Sequence, residues 1–93
     1  MGSIPTALAD FDPAKVEAKA ATVSSQWLNY AGGDRYFALW LAIADRHVAR
    51  KIGLGIMDLA DICYRDLYDD GVSPKEAAAE AISSDDTFGG MDW

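Results

Sequence analysis

The ten residues Asp69-Asp70-Gly71-Val72-Ser73-Pro74-Lys75-Glu76-Ala77-Ala78 constrain the fold of this chain more than any other stretch. Gly71 can take the left-handed conformation that closes a helix at the position after its C-cap. Ser73 is suited to cap the next helix and Pro74 to occupy its first position. Glu76 completes a Ser-x-x-Glu capping box. A helix end and a helix start this close together imply a helix–turn–helix corner, and with it a small all-α fold. None of these residues carries a reaction.

The rest of the chain reads in the same helical grammar. Residues 1–12 form an irregular arm, with Ile4 and Leu8 placed to pin it to a core. Asp12 caps a first helix at Pro13, and Phe11 is positioned to staple against Val16. Val16, Ala20, Val23, Trp27 and Tyr30 recur at spacings of four and three, which predicts one helix running to the Gly32-Gly33 break. Asp34 caps a second helix over Arg35 to about Ile52, whose first half is apolar on nearly every face. Such a helix is either buried on all sides or shared between the core and a subunit interface, hence the expectation of a homodimer through it. After Gly53-Leu54-Gly55 a third helix is predicted to about Asp70. Its main core stripe is Ile56, Leu59, Ala60, Cys63 and Leu67, with Met57, Tyr64 and Tyr68 beside it. Asp61 and Arg65 fall one turn apart, a spacing for a surface ion pair worth about 0.2–0.5 kcal/mol. A short fourth helix runs from Pro74 to about Ile82 with Ala77, Ala78, Ala81 and Ile82 facing inward. The expected organisation is an arm (1–12), a single helical domain (13–82) of three longer helices and one short one, and an acidic tail (83–93).

Composition narrows the function classes. A net charge of −7 opposes binding to nucleic-acid backbones or anionic membranes, both of which depend on Lys and Arg. The single Cys63 allows neither an internal disulfide nor a cysteine-based zinc site. With no basic-plus-apolar leader and no run near the length of a membrane span, the expected location is the cytoplasm. The apolar fraction of 51% supports a folded core and hints at self-association.

No residue pattern announces catalysis. His47 is the only histidine, and its neighbours Asp45 and Arg46 point to other sides of the helix. Asp58, Asp61, Asp66, Asp69 and Asp70 match neither an EF-hand nor a Glu-x-x-His bundle site and read as a solvated acidic face. Gly53-Leu54-Gly55 follows a helix and lacks the Lys-Ser/Thr of a phosphate loop. The expectation is therefore a chain with no catalytic residue, no metal and no cofactor. What remains is surface. Arg46, His47, Arg50 and Lys51 form the one basic spot, fit to receive an acidic helix of a partner, although dipole compensation at a helix C-terminus explains such cations equally well. Trp27, Tyr30, Tyr36 and Trp40 gather around the Gly32-Gly33 corner, and Phe88 and Trp93 lie in the tail. Aromatic anchors of this kind dominate interface energetics. The candidate partner-binding residues are thus Trp27, Tyr30, Tyr36, Trp40, Arg46, Arg50, Lys51, Phe88 and Trp93.

Three segments, Gly33-Asp34-Arg35-Tyr36-Phe37-Ala38-Leu39-Trp40, Asp58-Leu59-Ala60-Asp61 and Asp66 through Ala78, give the chain a resemblance. It resembles the small accessory proteins of actinobacteriophages, mycobacteriophages above all. The shared motifs are packing and capping motifs, so no site residue is carried across. The resemblance implies a role in binding and disabling a host protein, or in excluding competing phages. Its implied targets include coiled-coil growth proteins of the DivIVA type, transcription factors and defence enzymes, met by a helix in a groove. Two other classes compete. A virion assembly component would form larger defined oligomers, and an enzyme or small-molecule binder would show a closed polar pocket with convergent titratable groups.

Overall fold

In a computed structural model, which describes residues 4–56 and 64–84, the chain is all-α. A 3-10 turn at Thr6–Leu8 precedes α1 (Pro13–Ala21), α2 (Ser25–Tyr30), α3 (Arg35–Ile52), α4 (Tyr64–Asp69) and α5 (Pro74–Ser84). No strand occurs among the described residues.

The first predicted helix is in fact two. Thr22 stops α1 by turning its hydroxyl back to the carbonyls of Ala18 and Lys19, 3.3 Å from each. Ser24, in extended conformation, starts α2. The Thr22 hydroxyl competes for backbone hydrogen bonds in this way, and β-branched Thr22 and Val23 weaken the helix further, so the apolar spacing continues across a break in the backbone. Phe11, assigned to a staple, is instead one of the exposed large apolar residues. The arm is pinned as expected, with Leu8 fully buried and Ile4 packed against the core.

The second predicted helix is α3, with the same bounds. Asp34 accepts from the backbone N–H groups of Tyr36 and Phe37 at 3.1 Å each, and Gly53 closes the other end in the left-handed conformation. Phe37, Ala38, Leu39, Trp40, Leu41, Ala44 and Val48 are all buried, because α1, α2, α4 and α5 each pack on this helix. Most of its apolar residues are thus covered by its own chain, while Tyr36, Ala42 and Ile43 remain half-buried.

Trp40 is fully buried and its indole Nε1 donates to the Val72 carbonyl at 2.9 Å. Its ring packs with Phe37 and Tyr68 at centroid distances of 5.9 and 5.8 Å. Arg65 lies over Phe37 and Tyr68 and pairs with Asp34 at 3.2 Å and Asp69 at 3.3 Å, so one guanidinium joins the α3 N-cap to α4. Asp61, its expected partner, lies outside the described residues, as do Met57, Asp58, Leu59, Ala60, Cys63 and the tail beyond Ser84. Within α4 the two stripes exchange roles. Tyr64 and Tyr68 are buried and Leu67 only half so. Burial, then the nearby Asp34 carboxylate, pushes the Tyr68 phenol up to about 12.

The Gly71 corner forms as read. The Val72 N–H bonds to Leu67 O and the Gly71 N–H to Tyr68 O, the paired bonds of a Schellman motif, with Gly71 at φ +81°. Ser73 Oγ accepts from the Glu76 N–H at 3.3 Å, one of the two bonds of the expected capping box, and Ala77, Ala78, Ala81 and Ile82 face inward. At Gly71 a Cβ would fall 2.9 Å from Thr6 Cγ2, so both the backbone and the 3-10 turn require glycine. Gly71→Ala is expected to lower unfolding free energy by about 1–2 kcal/mol, the scale of a left-handed strain. Urea denaturation followed by tryptophan fluorescence measures this, and a change below a few tenths of a kcal/mol would show that the corner does not depend on glycine.

Candidate functional site

The C-terminal half of α3 lies beside α5, and the two run in the same sense. Trp40 reaches Val72, His47 meets Lys75 and Ala78, and Lys51 meets Ile82 and Ser83. The inward alanines of α5 make this close approach feasible, since they carry no side chain beyond Cβ. A groove of about 210 Å³ opens between the helices, walled by His47, Arg50, Lys51 and Lys75 over Ala78 and Ala79. It continues toward Ile82 and Ser83. Three of the eight Lys and Arg residues of a chain with net charge −7 thus converge with its one histidine. No carboxylate lines this groove among the described residues. The ion pairs formed among the described residues, to Asp34 and Asp69, both belong to Arg65, outside the groove.

Electrostatics follow from this crowding. Partial burial is the largest influence on His47 and lowers its pKa, and Arg50 and Lys75 lower it further by repulsion. Arg50 and Lys51 sit in the last turn of α3, where cations oppose the negative end of the helix dipole. Lys75 has no such explanation. It is the second residue of α5, at the positive end of that helix.

The other candidate residues scatter. Arg46 and Trp27 line a separate groove of about 330 Å³ with Lys19, Val23, Leu39 and Ile43, where α1 and α2 meet α3. Tyr30 is 46% exposed, and Tyr36 is half-buried and donates its hydroxyl to Glu17, which raises its pKa. Trp40 is withdrawn from the candidate surface because its ring and its one donor are both used in the core. Phe88 and Trp93 lie outside the described residues. Of the expected set, only Arg50 and Lys51 share the α3–α5 groove. Lys75 completes it, and the sequence signal for Lys75 was a cation at the wrong end of a well-capped helix. Among the described residues, no group of three acidic, histidine or cysteine side chains could hold a metal. Nor is any helix long and apolar enough to cross a membrane.

Residues 36–86 match DUF5419, a family of unknown function, and every residue of the α3–α5 groove falls within that span. The Gene 87 protein of Mycobacterium phage L5 is 47% identical over 47 residues, which are 50% of this chain and 89% of that protein. The Gene 87 protein of Mycobacterium phage D29 is 43% identical over 49 residues, 53% of this chain and 91% of that protein. No solved structure matches the chain.

A histidine whose folded-state pKa is lowered contributes stability that is present above its unfolded value near 6.5 and lost as pH falls through its folded value. Relative to His47→Gln, the wild type is therefore expected to lose stability between pH 7.5 and pH 5. Parallel urea melts of the two proteins at low salt measure the difference, in which the carboxylate contributions cancel. A gap independent of pH would mean that the groove cations do not act on His47.

Proposed function

The chain belongs to DUF5419, and on that footing we propose that it is a phage-encoded, non-catalytic interaction module that modulates or inhibits a host protein. The observation that carries this reading is the α3–α5 groove, a basic wall over a small apolar floor on an otherwise acidic chain. An acidic helical segment suits it. The apolar side of such a helix would rest on exposed Ala79 and the carbon stems beside it while its carboxylates meet Arg50, Lys51 and Lys75. The like-charged remainder of the surface would repel other acidic proteins, which concentrates recognition at one place. Host takeover, superinfection exclusion and anti-defence activity are all served by such a module.

The groove also lies wholly inside the segment matched by the family, whereas half of the Trp27–Arg46 groove is built from residues before position 36. The α3–α5 groove is thus the better candidate for a role common to the relatives.

Tagged wild type and the variant Arg50→Glu/Lys51→Glu/Lys75→Glu, incubated with mycobacterial lysate at low and moderate salt, test the reading. The wild type is expected to retain a stoichiometric host protein, with recovery at least tenfold lower for the variant and falling with salt. All three substituted positions are exposed, and circular dichroism checks that the variant is folded. Equal retention by both proteins, or no stoichiometric partner together with normal growth of cells expressing the wild type, would overturn it.

A further inference from the structure

We propose that the groove between α3 and α5 is an oxyanion-binding site, in which His47, Arg50, Lys51 and Lys75 surround one phosphate-class or carboxylate group. This deepens the reading of the groove as a recognition surface by stating the chemistry it takes and how that chemistry is regulated.

The first support is geometric. Two helices bring four cationic or protonatable side chains to one cavity of about 210 Å³, which is lined mainly by their carbon atoms and the alanines. The small side chains of Ala78 and Ala79 at its base leave room for a tetrahedral or planar anion. The second is that no carboxylate lines the groove among the described residues. Glu76 and Glu80 on α5 are exposed and do not line the groove. Asp45 on α3 lines the opposite groove and accepts from the Ile56 N–H at 2.9 Å. The third is Lys75. A cation in the first turn of a helix adds to the positive end of the dipole, so its presence beside Arg50 and Lys51 concentrates positive potential that folding alone does not need.

The groups facing His47 are Arg50 and Lys51 from its own helix and Lys75 from α5. These described neighbours are all positive, so together with partial burial they disfavour the imidazolium in the empty groove. An oxyanion placed among them offsets that positive field and makes the imidazolium less costly, which adds a further donor to the site. Binding therefore takes up a proton at His47 and tightens as pH falls through its titration range.

Because the chain has one histidine, its imidazole Cε1–H resonance reports the groove without ambiguity. We would follow that resonance against pH in sodium chloride, sodium sulfate and sodium acetate at matched ionic strength. Sulfate serves as a phosphate-class probe that does not itself titrate in this range. The His47 midpoint is expected to lie below 6.5 in chloride and to rise by about half a unit or more in sulfate, a roughly threefold preference of the anion for the protonated site. An equal rise in acetate would extend the site to carboxylates, and a rise in sulfate alone would assign it to the phosphate class. Lys75→Ala should reduce the response, with the dispersion of the remaining resonances confirming the fold. The same midpoint in all three salts, or an undiminished response in Lys75→Ala, would overturn the proposal. No host protein enters this measurement. A captured partner with a silent His47 therefore sinks only the oxyanion site, and a responsive His47 with no captured partner sinks only the host-protein reading.

Discussion

The fold depends on burying Phe37, Ala38, Leu39, Trp40, Leu41, Ala44 and Val48 of α3 beneath the other helices, and Trp40 is where that burial is made specific. Apolar contact would hold the surrounding helices against α3 in many registers, because the hydrophobic effect has no direction. The indole N–H bonded to Val72 O removes that freedom. A buried donor left without an acceptor costs about 1–3 kcal/mol, so the α4–α5 corner must sit where its carbonyl meets the ring. Phe37 and Tyr68 then pack on the same ring system, and Arg65 closes it from outside through Asp34 and Asp69. These exposed ion pairs are weak individually, yet they tie the start of α3 to α4.

From that clip the functional surface follows by geometry. Val72 is held by Trp40, Gly71 turns the chain, Ser73 caps, and Pro74 starts α5 immediately beyond. Lys75 is therefore delivered to the level of His47, one to two turns along α3 from Trp40, and the alanine face of α5 closes against α3 below it. The groove is a consequence of how the corner is anchored. A slip of one residue at Gly71 would rotate Lys75 by about 100° about the α5 axis and take it out of the groove.

Where local chemistry decides, the structure was legible in the sequence. Asp34 and Gly53 bound α3, and Gly71, Ser73 and Pro74 bound the corner, because caps and left-handed glycines act over a few residues. The inward face of α5 was legible for a related reason, since alanines at helical spacing have few other uses. Where two patterns compete, the spacing misled. Val16 to Tyr30 keeps one apolar period across Thr22-Val23-Ser24, but side-chain-to-backbone bonding ends the helix inside it. Tyr68 outranks Leu67 in burial because it packs on Phe37 and Trp40, and Tyr64 because it turns inward to donate its hydroxyl to the Ile56 carbonyl, choices only tertiary packing makes. The same limit applied to the site. Trp40 and Trp27 look alike as aromatics on helices, yet one is core and the other lines a groove. Lys75 lies 28 residues from His47 in sequence and joins it only through the fold.

A groove between α3 and α5 is open to another molecule only if no second copy of the chain fills it. Sedimentation equilibrium over micromolar to submillimolar concentration tests this most directly. A single species at the chain mass of 10.0 kDa is the expected result, unchanged when Arg50, Lys51 and Lys75 are neutralised. A concentration-dependent dimer that dissociates when those three residues are neutralised would contradict it, since the groove would then belong to the protein's own assembly.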